Sequence, residues 1–159
     1  MNKMDRRNPL HLLAFGLGAG LSPRAPGTFG TLVAVPLFLL MADLPLPVYL
    51  LLVVILFALG IPLCTRVSRD LGVHDHSGIV WDEIVGFLVT MTAAPAGWGS
   101  LVFGFLLFRL FDIWKPWPIN ALDRGVGGGL GIMLDDLLAG LYAAACLQLG
   151  VYFMDRVPM

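Results

Sequence analysis

The stretch Leu46-Pro-Val-Tyr-Leu-Leu-Leu-Val-Val-Ile-Leu-Phe-Ala-Leu-Gly-Ile-Pro-Leu-Cys64 decides the fold class. It holds no Asp, Glu, Lys or Arg, and it approaches the roughly 20 apolar residues that a bilayer-spanning helix needs. Leu137–Met154 is a second run of comparable length, and Leu32–Met41, Ile84–Ala94 and Leu101–Phe111 are shorter ones. The short runs are expected to be kinked or paired helices, or helices extended by polar ends. Prolines and glycines punctuate the five runs, numbered from here in chain order: Pro36 lies inside the first, Leu32–Met41, Pro45 and Pro47 make the tight turn between the first two, and Pro95-Ala-Gly97 with Gly99 separate the third from the fourth. The pattern predicts an all-α, multihelical integral membrane bundle of about four to five apolar helices. With no linker, repeat or low-complexity tract, residues 1–159 read as a single domain.

Composition agrees. The chain is 58% hydrophobic and 13% charged, with a mean hydropathy of +0.84. An ordinary soluble domain is about 45–50% apolar and about 25% charged. The formal net charge of −1 and the lack of a basic run exclude a case for nucleic acid. Cys64 and Cys146 both sit in apolar runs and read as small hydrophobes, not as a disulfide or a zinc site. Leu10–Leu21 after Lys3, Arg6 and Arg7 superficially resembles a secretion signal. It carries His11 and three glycines and lacks a good small-x-small cleavage site, so no cleavage is expected.

Positive charge orients the bundle. Lys3, Arg6, Arg7 and Arg24 precede the first run, Arg66 and Arg69 follow the second, and Arg109, Lys115 and Arg124 fall between the fourth and fifth. The turns at Asp43–Pro47 and Pro95–Gly99 have no Lys or Arg. The positive-inside rule then puts Ser22–Thr31, Ser68–Glu83 and Phe111–Asp136 on the cytoplasmic face together.

Those three stretches carry the chemistry. Ser22–Thr31 offers Arg24, a planar fork of donors suited to phosphate, with Thr28, Thr31 and main-chain amides around Gly27 and Gly30. The same Pro and Gly residues could simply punctuate a turn. The second stretch ends in Asp82-Glu83 at the start of an apolar run, where acids also serve as dipole complements. An acid entering lipid, however, calls for a partner or a purpose. His74 and His76 read as surface residues. The third stretch places Arg109, Asp112 and Lys115 three apart, on one helical face if the fourth helix continues that far. It then sets Trp114 and Trp117 at the interface and leads through Asp123 and the glycines of Gly125–Gly131 to Asp135-Asp136. A glycine loop can lie close to phosphate oxygens, yet the two carboxylates repel phosphate. A hard dication between them resolves the conflict, because Mg²⁺ takes a few carboxylates plus phosphate oxygens and retains some water. The alternative is a salt-bridge network of the acids with Arg109, Lys115 and Arg124.

Three motifs together resemble the phosphatidylglycerophosphatase A family. They are Pro23-Arg-Ala-Pro-Gly-Thr-Phe-Gly-Thr31; Ile79-Val-Trp-Asp-Glu83 with Gly86; and Phe108-Arg-Leu-Phe-Asp-Ile-Trp-Lys-Pro-Trp-Pro-Ile119 with Gly128-Gly-Leu-Gly-Ile-Met-Leu-Asp-Asp136 and Ala139-Gly140. The similarity runs from about Phe15 to Gly140. It implies a multihelical, Mg²⁺-dependent lipid phosphatase of the bacterial inner membrane. Such an enzyme removes the terminal phosphate of phosphatidylglycerophosphate to leave phosphatidylglycerol and inorganic phosphate.

On this reading Asp82, Glu83, Asp112 and Asp136 are the catalytic candidates, and Asp82, Glu83, Asp123, Asp135 and Asp136 the metal ligands. Arg24, Thr28, Arg109, Lys115, Gly128 and Gly129 hold the substrate phosphate. The partners are a phospholipid in the bilayer and the membrane itself, and no residue pattern specifies an oligomer. Covalent phosphatase chemistries lack their motifs: Cys64 to Arg69 is one residue short of Cys-x5-Arg, no Asp-x-Asp-x-Thr/Val is present, and the histidines are not placed for a phosphohistidine. Two rivals remain at this point. A CDP-lipid phosphotransferase would carry Asp-Gly-x2-Ala-Arg-x8-Gly-x3-Asp-x3-Asp, of which only Gly131-x3-Asp135 is echoed. An ion or proton carrier would place acids mid-segment, whereas these lie at segment ends.

Overall fold

A computed structural model of the chain describes residues 4–73 and 76–154, and of residues 123 and 124 the main chain alone. Every regular element among the described residues is helical: α1 (Pro9–Ala14), a 3-10 segment (Gly16–Leu21), α2 (Pro26–Met41), α3 (Leu46–Leu71), α4 (Trp81–Thr90), α5 (Trp98–Trp114), α6 (Ile119–Gly125) and α7 (Gly128–Met154).

Two helices, α3 with 26 residues and α7 with 27, are long and apolar enough to cross a membrane. At 16 and 17 residues α2 and α5 are shorter, and α4 has only 10. Pro47 in its first turn and Gly72 in the left-handed C-cap position (φ 70°) delimit α3. Lys115, also left-handed (φ 45°), ends α5.

The helices extend beyond the apolar runs, and this moves several motifs. Pro26 opens α2, so Thr28 and Thr31 lie on a helix instead of in a loop, and the Thr31 hydroxyl donates to the Gly27 carbonyl at 2.9 Å. Gly128 opens α7, so Asp135 and Asp136 stand about two turns inside it. The glycines were expected to form a loop because glycine weakens isolated helices. Here they are needed for contact: a Cβ on Gly129 would sit 2.1 Å from the Ile61 carbonyl oxygen, and one on Gly131 would sit 2.0 Å from that of Val126.

Helix α7 packs on α3, α4, α5 and α6, and α4 is wrapped by α2, α3, α5 and α7. Eight residues of α4, Asp82 and Ile84–Thr90, are buried. Phe87, Leu88, Phe108, Ala139, Ala143 and Leu147 form the core beyond its acidic end. The far end of α4 is held by side-chain donors: the Tyr49 hydroxyl donates to the Leu88 carbonyl at 2.6 Å, and the Gln148 amide donates to the carbonyls of Thr92 (3.2 Å) and Ala93 (2.9 Å). The Leu10–Leu21 run is part of the fold. Ala14 and Phe15 pack with Leu63, Cys64 and Val67, and the Val80 amide donates to the Ala14 carbonyl at 2.8 Å.

Candidate active site

Spacing along two helices builds the site. Asp82 lies one turn before Gly86 on α4, and Asp136 lies one turn before Gly140 on α7. The two glycines meet backbone to backbone, with a Cβ on Gly140 falling 2.5 Å from the Gly86 carbonyl oxygen. The helices run the same way, so the contact places both acids at one end of the pair. Small residues at such crossings let backbones approach closely. As a result one oxygen each from Asp82, Glu83 and Asp136 lies within 4.8 Å of the others.

The cluster borders a cavity of about 250 Å³ that is also lined by Gly27, Arg109, Asp112, Lys115 and Asp135. Among the described residues five carboxylates meet two cations there. Arg109 hydrogen-bonds Asp112 through a terminal nitrogen, and the Lys115 ammonium donates to Asp135 at 2.6 Å. Glu83 stands 4.0 Å from Arg109. The salt-bridge alternative therefore accounts for Asp112 and Asp135 and leaves the triad of Asp82, Glu83 and Asp136 in charge excess. Buried atoms Asp82 Oδ1, Glu83 Oε2, Asp136 Oδ2 and Arg109 Nε have no hydrogen-bond partner among the described residues. An unsatisfied buried carboxylate oxygen is costly, so these donors are suited to holding a cation.

Burial, reinforced by the charges of Glu83 and Asp136, pushes the Asp82 carboxyl well above the usual carboxylate range. Burial also raises Glu83, to about 7, and the opposing pull of Arg109 is smaller. Acids perturbed in this way, facing a cavity, are functional candidates. All-oxygen donors with unfilled lone pairs fit a hard dication such as Mg²⁺.

The sequence-derived candidates divide. Asp82, Glu83, Asp112, Asp135, Asp136, Arg109 and Lys115 come together around one cavity. Arg24 is exposed and Thr28 half-buried, and neither lines it. Gly128 and Gly129 do not reach it either. The Gly129 amide donates to the Thr65 hydroxyl at 3.0 Å, tying the start of α7 to α3. The Asp123 side chain lies outside the described residues, as do His74 and Asp75. Gly27 is the residue that sequence reasoning undervalued. A Cβ there would sit 2.3 Å from Glu83 Oε1 and 3.0 Å from both terminal nitrogens of Arg109. Its signal was the first glycine of the Pro23–Thr31 motif, already noted for its main-chain amides.

Relatives place this arrangement in a class. A curated protein of Escherichia coli (strain K12) named phosphatidylglycerophosphatase A is 48% identical over 147 residues, covering 92% of this chain and 86% of that protein. Its namesake in Haemophilus influenzae is 42% identical over 156 residues, covering 97% and 96%. A protein of Bacteroides thetaiotaomicron, named provisionally as a phosphatidylinositol-3-phosphatase, is 37% identical over 141 residues, covering 83% and 87%. No solved structure matches the chain. The protein is an enzyme, a phosphatase. The model of the phosphatidylglycerophosphatase A family matches residues 12–151, and the chain belongs to that family.

Proposed function

We propose that the protein hydrolyses phosphatidylglycerophosphate to phosphatidylglycerol and inorganic phosphate at the cytoplasmic face of a bacterial inner membrane, with Mg²⁺ as cofactor. The names of the Escherichia coli and Haemophilus influenzae relatives support the substrate. The observation that carries the chemistry is the Asp82–Glu83–Asp136 triad with its unpartnered buried oxygens. On this reading α2, α3, α5 and α7 form the membrane-embedded bundle around the short α4.

Asp82 and Asp136 would hold the ion, with one oxygen of Glu83 completing the set and Asp135 beside it. Bound Mg²⁺ supplies charge neutralisation of the phosphoryl oxygens and a template for water. Arg109, braced by Asp112, lines the cavity and brings its guanidinium charge to a phosphoryl oxygen. Lys115 adds a second cation at the rim. The other oxygen of Glu83 would take the proton of the attacking water. The new P–O bond forms from that water as the bond to the glycerol oxygen breaks, and the leaving oxygen is protonated from solvent at the mouth. Gly27 keeps Glu83 and Arg109 together by having no side chain.

The test is phosphate release by purified protein from phosphatidylglycerophosphate, its lyso form, phosphatidic acid and phosphatidylinositol 3-phosphate, with Mg²⁺ and with EDTA. Fastest release from phosphatidylglycerophosphate, abolished by EDTA, is expected. Equal rates on all four lipids, or full activity in EDTA, would refute the reading.

A further inference from the structure

Arg109 borders two cavities of opposite character. Its guanidinium lies in the acidic one, where it is hydrogen-bonded to Asp112 and stands 4.0 Å from Glu83. Arg109 also lines a shallow groove of about 600 Å³ on the outside of α5, whose other walls are Leu106, Leu110, Ile113 and Trp114. We propose that this groove receives an acyl chain of the lipid phosphomonoester whose phosphate occupies the acidic cavity, an inference that rests on the function proposed above.

Spacing along α5 builds the groove. Leu106, Arg109, Leu110 and Ile113 recur at steps of three and four, so they form one stripe over about 10 Å of the helix. The opposite stripe of Leu101, Gly104 and Phe108 is buried. Leu106, Leu110, Ile113 and Trp114 are each more than half exposed, whereas the Arg109 side chain is only 14% exposed. The charged member of the stripe is thus turned inward to the acids. Its alkyl stem connects the apolar surface to them, as long cationic side chains commonly do.

The occupant follows from the join. A lipid phosphomonoester carries phosphate at one end and acyl chains at the other, and the two cavities offer those chemistries side by side, with a guanidinium suited to phosphate between them. Other apolar surfaces lack this continuity. Two cavities at the far end of α4, one walled by Phe38, Tyr49 and Met91 and the other by Phe103, Leu147 and Val151, share no residue with the acidic one. The exposed Leu51, Val54 and Leu59 of α3 border neither the acidic cavity nor the groove. In a bilayer any such face meets lipid; the α5 groove differs because a chain lying there can belong to a lipid held by its phosphate.

A test that needs no turnover places a benzophenone amino acid at Leu110, or at Leu51 as control, in full-length protein in dioleoyl phosphatidylcholine nanodiscs with Mg²⁺. The probe is a small share of a dioleoyl phosphonate lipid, whose C–P bond is not hydrolysed. Photocapture at Leu110 should exceed the probe's share of the bilayer about tenfold, and Arg109→Gln should remove the excess. Capture at Leu51 should follow the share. In parallel, Leu110→Trp should raise KM for dioleoyl phosphatidylglycerophosphate about tenfold, equivalent to losing roughly two buried methylene groups, and leave that for the dihexanoyl form unchanged. Leu51→Trp should alter neither. Equal capture at the two positions, no rise in KM, or an equal rise for both chain lengths would overturn the proposal. Excess capture at Leu110 without hydrolysis of phosphatidylglycerophosphate would keep the groove and remove the function proposed above; hydrolysis with equal capture would do the reverse.

Discussion

Gly86 of α4 and Gly140 of α7 touch main chain to main chain, and the Thr90 hydroxyl bonds across the joint, donating to Gly86 O at 3.0 Å with Gly140 O at 3.4 Å. The joint lies one turn from Asp82 and Asp136, so it sets the spacing of the acidic triad. Gly140→Ala should therefore cost about 1–3 kcal/mol through overpacking. A lower melting temperature and a lower rate of phosphate release should appear together. Wild-type values for both would show that the joint has slack.

Asp82→Asn and Asp136→Asn should reduce phosphate release by about a thousandfold or more. Both remove a carboxylate from a cluster in charge excess, so in EDTA each variant should melt at or above the wild-type temperature. Added Mg²⁺ should then stabilise wild type more than either variant. Thermal scans with and without Mg²⁺ measure all three, and full activity in either variant would strike that residue from the site.

The pH dependence follows from Glu83. Its carboxyl is raised above the usual range to about 7 in the ion-free protein. A carboxyl raised on folding contributes stability that is complete below its unfolded value and is lost as pH climbs through the folded one. In EDTA the melting temperature should therefore fall between about pH 5 and pH 8. Mg²⁺ binds the deprotonated form, so its affinity should rise over about pH 6–8 and level off above that. A melting temperature that rises over this interval in EDTA would contradict the assignment.

Arg109→Lys keeps the charge but loses the planar fork, one arm of which reaches Asp112. It should lower kcat/KM about tenfold or more, while Asp112→Asn, which frees Arg109 to wander, should raise KM. Steady-state kinetics on phosphatidylglycerophosphate separates the two effects.

The helical class, the two longest helices and the gathering of most acids were legible because each rests on local signals: apolar run length, the three-residue spacing of Arg109, Asp112 and Lys115, and acids flanking apolar segments. The helix starts at Pro26 and Gly128 were not. Glycine and proline read as loop in isolation, and only the close approach of Gly129 to Ile61 and of Gly27 to Glu83 and Arg109 explains them. Those contacts join segments far apart in sequence. The pairing of Lys115 with Asp135, 20 residues on, was equally hidden. The spacing of Asp82 to Gly86 and of Asp136 to Gly140 was visible, yet it acquires meaning only once α4 lies along α7.

Helix α4 has 10 residues, which at about 1.5 Å each gives some 15 Å, half of a hydrocarbon layer about 30 Å thick. On the membrane-embedded reading proposed above, it would enter with its acids and stop where Tyr49 and Gln148 donate to the carbonyls of Leu88, Thr92 and Ala93. Beneath the acids lie Phe87, Leu88, Phe108 and Leu147, which belong to one apolar core. On the same reading, water would reach a phosphorus atom from the acidic side, with that apolar core as the barrier on the other. A wet hydrolytic site half sunk in a membrane need not become a leak.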